Sequence, residues 1–202
     1  MPDADPRLLA ADAPELRASD RLVDARAAVA AADVDPGAEG HRLTILDFID
    51  AHADALHRSC RTGHLTGSAL VVDHDGRRVV VLHHRKLGRW LQPGGHCDGD
   101  ANLAAVALRE ATEETGIDGL RVLPVAVDLD VHEVAPPDDD PHLHLDVRYL
   151  VHAPPGAEPA GNHESNDIRW ASVDDLAGLD LDEGTWRMVR HGLARHQELV
   201  RR

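Results

Sequence analysis

The spacing of apolar positions changes several times along the chain, and each change marks an element. "LTILDFIDAHADALHR" repeats apolar residues at Ile45, Leu46, Ile49, Ala53 and Leu56, the period of an amphipathic helix. Upstream, a helix is expected from Pro14 to Ala32, ended by "DPGAEG". From Gly63 the pattern becomes that of strands. "SALVVD" and "RRVVVLH" flank the turn "DHDG" and predict a hairpin. Two longer β-rich runs follow, "LRVLPVAVDLDVHEV" and "HLHLDVRYLVH", separated by the turn-rich "APPDDDP". A last strand, "NDIRWAS", precedes a helix around "VDDLAGL" and a final helix from Glu183 to Leu199.

Between the hairpin and the long strands lies one further helix, with Leu103, Ala104, Ala107, Leu108 and Ala111 as its buried stripe. Asp98 or Asp100 is expected to cap its start, and Gly116 to take the left-handed position at its end. The order predicts a mixed α/β domain over residues 61–202, preceded by a helical segment, residues 1–60, packed on it.

Composition narrows the setting. With 202 residues and 43% hydrophobic content the chain can bury a sizeable core. No apolar run approaches membrane-spanning length, and the acidic N-terminus lacks the apolar stretch of a signal peptide. Two cysteines, Cys60 and Cys97, make no disulfide framework, so a reduced, cytoplasmic location is expected. The formal charge of -15, from 36 acidic and 21 basic residues, repels nucleic-acid polymers. It does not repel a small phosphorylated ligand that arrives with a divalent metal.

The central helix crowds Glu110, Glu113 and Glu114 at i, i+3 and i+4, with Arg109 able to pair with Glu113. Such an edge is either a solvated charged face or the seat of a cation. Carboxylates on a rigid element suit Mg²⁺, which binds few protein ligands and keeps places for water and substrate phosphate.

The wider string, Gly95 followed by "REATEETGI" from Arg109 to Ile117, resembles the Nudix box: Gly, five residues, Glu, seven residues, then Arg-Glu-aliphatic-x-Glu-Glu-x-Gly-aliphatic. Ala111 is small for its aliphatic slot, and Ala101 stands where the family places its first Glu. The resemblance covers roughly Leu65 to Leu179. It implies an α/β/α sandwich and hydrolysis of a diphosphate linked to another moiety, with Mg²⁺ or Mn²⁺ polarising the phosphate and acidifying the attacking water. On this chain it implies metal ligation by Glu110, Glu113, Glu114 and the Gly95 carbonyl. Arg109 would orient the glutamates, and Glu164 stands where some members carry a catalytic Glu. A Glu restored at Ala101 is expected to be tolerated in the first helical turn.

Fifteen histidines are many for this length. "His142-Leu-His144-Leu-Asp146-Val-Arg148" alternates, so its polar groups share one strand face. Such residues are ordinary hydrogen-bonded side chains, or, with imidazole and carboxylate together, a site for Zn²⁺, Mn²⁺ or Fe²⁺. A second resemblance, to type I isopentenyl diphosphate isomerase, rests on His57 and His64, "Gly94-Gly95-His96", and His144 with Asp146. It implies a second metal held by His64, His96, His144 and Asp146, with His57 a further candidate. Gly94, however, stands where the isomerase has its catalytic Cys. Asp130, His132 and Glu133 are candidate lining of the same pocket. Arg85, Lys86, Arg89 and Arg148 are candidate phosphate-binding residues, and Trp90 reads as core.

Three functions follow as expectations: a metal-dependent diphosphate hydrolase acting on a small-molecule substrate, an isomerase-like enzyme, or a non-catalytic nucleotide-sensing domain. A homodimer is left open.

Overall fold

The polar turn of the sequence-predicted hairpin folds around one carboxylate. In this computed structural model, which describes residues 7–135, 140–163 and 165–201, β2 (Gly63–Val72) and β3 (Arg78–His84) are antiparallel neighbours. Asp73 between them accepts the backbone N–H groups of Arg77 (2.7 Å) and Arg78 (3.1 Å) and the Arg78 guanidinium (2.9 Å). The other strands are β1 (Leu9–Ala10), β4 (Arg89–Leu91), β5 (Gly94–His96), β6 (Arg121–Val134), β7 (His142–His152) and β8 (Ser165–Ser172). The helices are α1 (Leu22–Ala30), α2 (Glu39–Ala51), α3 (Leu103–Thr115), α4 (Val173–Leu176) and α5 (Glu183–Val200).

The sheet runs β1-β6-β7-β2-β3-β4, with β5 also pairing β2 and β8 also pairing β3. β2 and β7 run parallel and their neighbours antiparallel, so the sheet is mixed. β2 is buried along its whole length, and successive residues feed two cores. Leu65, Ala69 and Val71 join α3's Leu103, Val106, Ala107 and Ala111 on one face. Leu70 and Val72 meet α5's Met188 and Val189 on the other. A Cβ at Gly67 would come within 2.8 Å of Val106, which is how closely α3 approaches β2. Helices thus cover both faces, the expected α/β/α sandwich. Among the described residues, no helix is long and apolar enough to cross a membrane.

The N-terminal residues do more than precede this sandwich. β1 pairs with β6 at Leu9 and Val122, Asp33 N–H donates to the Ala126 carbonyl (2.8 Å), and Val131 N–H donates to His41 Nδ1 (3.1 Å). Three points along the outer edge of β6 are covered, an edge that would otherwise offer unpaired backbone groups to another chain.

The helix expected over 14–32 is two pieces, a 3-10 turn at Pro14–Leu16 and α1, joined by extended backbone. Ser19 explains the break. Its hydroxyl donates to Asp24 (2.6 Å), its N–H donates to Asp100 Oδ1 (3.1 Å), and its carbonyl accepts Ala101 N–H (2.6 Å). These bonds draw the backbone away from a helical ladder.

Candidate active site

The acidic helix α3 starts at neither expected cap. Asp100 is engaged with the N–H groups of Ser19 (3.1 Å) and Asn102 (2.9 Å), so Asn102 becomes the cap, its Oδ1 accepting Ala105 N–H (3.3 Å). The Asn102 amide also donates to the carbonyls of Glu15 and Arg17, fastening the N-terminal segment to the start of α3. Gly116 ends the helix in the left-handed region at φ 64°, as the sequence implies.

The loop leading into α3 is held in an uncommon shape. Asp98 has φ 48°, a conformation costly for a non-glycine residue. The Arg58 guanidinium grips its carboxylate with two bonds, of 2.7 and 2.6 Å.

Behind this loop, β5 meets the glutamates. Glu114, 7% exposed, accepts the Gly94 N–H through Oε2 at 2.9 Å. Glu110 lies so close to Gly95 that a Cβ there would displace its carboxylate. Glu113 is exposed at the outer side of the edge. Burial, foremost, raises the Glu110 pKa above the usual carboxylate range, Glu113 and Asp98 add to it, and Arg109 works against the rise. Arg109 donates to Glu110 (3.2 Å) and to the His96 carbonyl (3.4 Å), and stands 3.9 Å from Asp100. It therefore pairs with Glu110, not with Glu113 as the spacing suggested. The donor set is all carboxylate beside a glycine backbone, which fits a hard, oxygen-seeking divalent cation.

Ala101 overturns the expectation for a restored Glu. It precedes α3, is 1% exposed, and belongs to the hydrophobic core under the N-terminal segment. A carboxylate there would displace apolar neighbours and lose much of its hydration. Ala101→Glu is expected to cost about 3 kcal/mol or more in stability, read as a fall in melting temperature. An unchanged melt with tighter Mg²⁺ binding would reinstate the original expectation.

The opposite sheet face carries a different chemistry. Strand register sets three polar rows side by side across β6, β7 and β2: His132, His144 and His64; Asp130, Asp146 and Thr66; Asp128, Arg148 and Ser68. His96 of β5 lies opposite Thr66, beside the first two rows. One strand thus serves both faces, Gly95 toward Glu110 and His96 toward the histidines.

Two of the expected site residues are corrected here. Arg148, 2% exposed, donates to Asp146 (2.7 Å), Asp128 (3.0 Å) and Asp130 (3.1 Å), so it is spent inside the fold and unavailable to a substrate phosphate. Asp146 accepts Thr66 Oγ1 (2.9 Å) and Ser68 Oγ (2.8 Å) on one oxygen and Arg148 on the other, which commits it to this network and not to a metal. Arg187 of α5 completes the network on Asp128 (2.7 Å) and Asp130 (3.1 Å). Burial alone would raise the Asp130 pKa, but His132, Arg148 and Arg187 outweigh it and leave it lowered. Asp130 in turn raises the pKa of His132 by a 3.0 Å hydrogen bond.

The histidine nitrogens that converge are those of His64, His142 and His144, all within 4.8 Å of one another. The His96 ring is 4.9 Å from that of His64 and 5.3 Å from that of His144. Burial lowers the pKa of His144 to about 2 and that of His96 to about 4, with neighbouring imidazoles adding to both and Arg58 to His96. His57 is exposed and lies against the Gly99 turn, and Glu133 is exposed. At Gly94 a Cβ would collide with Ser68 Oγ, and Cys97 is 1% exposed with its thiol pKa raised by burial. Neither offers an isomerase nucleophile.

Arg85, Lys86 and Arg89 stand exposed around the β3–β4 turn, with Arg85 on Asn166 (3.4 Å) and Arg89 near Asp182 (3.9 Å). Trp90 is half-buried, with the Arg169 guanidinium 4.3 Å over its ring. Glu164 lies outside the described residues.

The fold and the glycine-backed carboxylate edge define a known class. The NUDIX domain model matches residues 64–192, and the chain belongs to that family. A Mycobacterium tuberculosis protein provisionally named 8-oxo-dGTP diphosphatase 3 is 32% identical over 124 residues, 57% of this chain. The match spans 56% of that relative's own length. A NUDIX-family hydrolase structure from Clostridium perfringens superposes with TM-score 0.51 at 21% identity, over 66% of this chain and 97% of that one. The E. coli dihydroneopterin triphosphate pyrophosphohydrolase does so with TM-score 0.51 at 16% identity, over 65% and 95%. At these identities the two structures speak for the fold.

Proposed function

We propose that the protein is a metal-dependent pyrophosphohydrolase that cleaves the diphosphate linkage of a nucleotide-like or other organic diphosphate. The observation that carries this is the edge of α3, where Glu110 packs on Gly95 and Glu114 accepts the Gly94 N–H. Glu110, Glu113, Glu114 and the Gly95 carbonyl would hold Mg²⁺ or Mn²⁺. A cation there supplies Lewis acidity to a diphosphate oxygen and a water acidic enough to attack at neutral pH.

The remaining roles belong to the chain's own groups. Arg109, bonded to Glu110 and to the His96 carbonyl, holds the first glutamate against β5. The Asp98–Arg58 clamp fixes the loop that carries Cys97 to Asp100 into the helix. Arg85, Lys86 and Arg89 are the candidate phosphate contacts, and Glu164 a candidate proton acceptor. With a chain charge of -15, these cations and the metal must offset the repulsion of an anionic substrate. A nucleoside triphosphate is the first substrate class to try, given the name of the mycobacterial relative. The setting is taken as the cytoplasm, with the protein alone or as a homodimer.

The test is a panel of nucleoside triphosphates (oxidised purines included), dinucleoside polyphosphates, ADP-ribose, NADH and nucleotide sugars, each with Mg²⁺ or Mn²⁺. Turnover of at least one member, abolished by chelator and restored by metal, is expected. Tight binding of a member without turnover would replace the hydrolase by a sensing domain.

A further inference from the structure

The geometry points to a second, transition-metal site, formed by His64, His142 and His144 on the sheet face turned away from α3, that clamps the start of β7 to the start of β2. It lies beyond the diphosphate-cleaving site and does not depend on it. His64 is the second residue of β2, and His142 and His144 are the first and third of β7. The parallel register sets His64 directly beside His144. Their three ligand nitrogens already lie within 4.8 Å of one another. Around one tetrahedral ion, nitrogens at the usual Zn–N length are about 3.3 Å apart, so modest rotations of the rings close the site.

The surroundings favour a ligand role over ordinary packing. His142 Nδ1–H donates to the Asp140 carbonyl at 2.8 Å, which leaves the lone pair on Nε2. A hydrogen bond from the second ring nitrogen to a carbonyl or carboxylate is the usual way a metal-binding imidazole is oriented. His64 and His142 are 3% and 8% exposed, so both rings have already been taken out of water. His96 stands at ring-contact distance from two members and can approach the fourth position, which water would otherwise fill.

Ligand chemistry separates this site from that on α3. Imidazole nitrogens select Zn²⁺, Co²⁺ or Fe²⁺, whereas Mg²⁺ keeps to oxygen. The neighbouring carboxylates do not change the choice, because Asp146 is held by Thr66, Ser68 and Arg148, and Asp130 by His132, Arg148 and Arg187. A bound ion would join β2, β7 and, through Asp140, the segment that enters β7.

The test uses the full chain, stripped with chelator, dialysed and titrated with Co²⁺ in millimolar Mg²⁺. One equivalent is expected to bind and to give the visible absorption bands of a four-coordinate ion. Zn²⁺ should displace it and raise the melting temperature. His142→Ala and His144→Ala should weaken binding about 100-fold or more and remove the bands, whereas Glu113→Gln should keep them. Bands that survive both histidine changes, bands lost with Glu113→Gln, or no stoichiometric binding would overturn the site. If a histidine variant does not fold, Zn²⁺-loaded wild-type crystals decide. An anomalous peak among His64, His142 and His144 supports the site, and a peak only at the α3 glutamates refutes it.

Discussion

Glu114→Gln is expected to lower kcat by about 10³-fold, roughly 4 kcal/mol of transition-state stabilisation, while the protein stays folded. The amide keeps the shape of the side chain, and its oxygen can still accept the Gly94 N–H that Glu114 accepts at 2.9 Å. What is lost is the charge that holds a cation against a diphosphate. Glu113→Gln should behave alike, with less effect on folding, because Glu113 is exposed. Raising Mg²⁺ should recover little of the rate. Far-ultraviolet circular dichroism and melting curves would confirm the fold, and initial rates would give the loss. Both variants within a few-fold of wild type at saturating metal would remove α3 from the chemistry.

Arg148→Ala should act on stability. Its guanidinium joins three carboxylates, with Asp128 0%, Asp146 3% and Asp130 13% exposed at the side chain. Removing it leaves Arg187, His132 and, at 3.6 Å, His41 on Asp128 and Asp130, and the Thr66 and Ser68 hydroxyls on Asp146. Breaking such a buried network costs about 3–5 kcal/mol, a large share of the roughly 5–15 kcal/mol that holds a domain together. The melting temperature should fall by about 6–20 °C. Arg148→Lys should not restore it, because one ammonium cannot bond three separate carboxylates in the plane the guanidinium serves. A variant that melts like wild type and shows only a raised KM would return Arg148 to the substrate-contact role read from the sequence.

That reversal shows where the sequence was legible. Alternation from His142 to Arg148 places four polar groups on one face, and they lie there. Alternation cannot say what stands opposite. The matching signal, "Asp128-Leu-Asp130-Val-His132", lies on β6, and only register sets Asp128 beside Arg148 and His132 beside His144. Register also decides that Asp146 meets Thr66, and the group whose nitrogen lies beside those of His64 and His144 is His142. The hairpin around Asp73, the stripe on α3 and the stop at Gly116 were legible because their causes are local. The break near Ser19, the Asn102 cap and the burial of Ala101 were not, because each depends on contact between the N-terminal segment and the loop before α3, about 80 residues away. The box that carries the family assignment is local as well, and its departure at Ala101 has a physical reason: the N-terminal segment has made that position core.

The most direct test of the central claim is hydrolysis in ¹⁸O-water. Wild-type protein with Mg²⁺ or Mn²⁺ is incubated with each member of the diphosphate panel, and the products are weighed by mass spectrometry. Cleavage of a diphosphate by water attacking phosphorus puts one ¹⁸O on one of the two phosphoryl products per turnover, and the Glu114→Gln sample should show next to none. No labelled phosphoryl product from any substrate, or equal labelling by wild type and Glu114→Gln, would contradict a pyrophosphohydrolase built on α3.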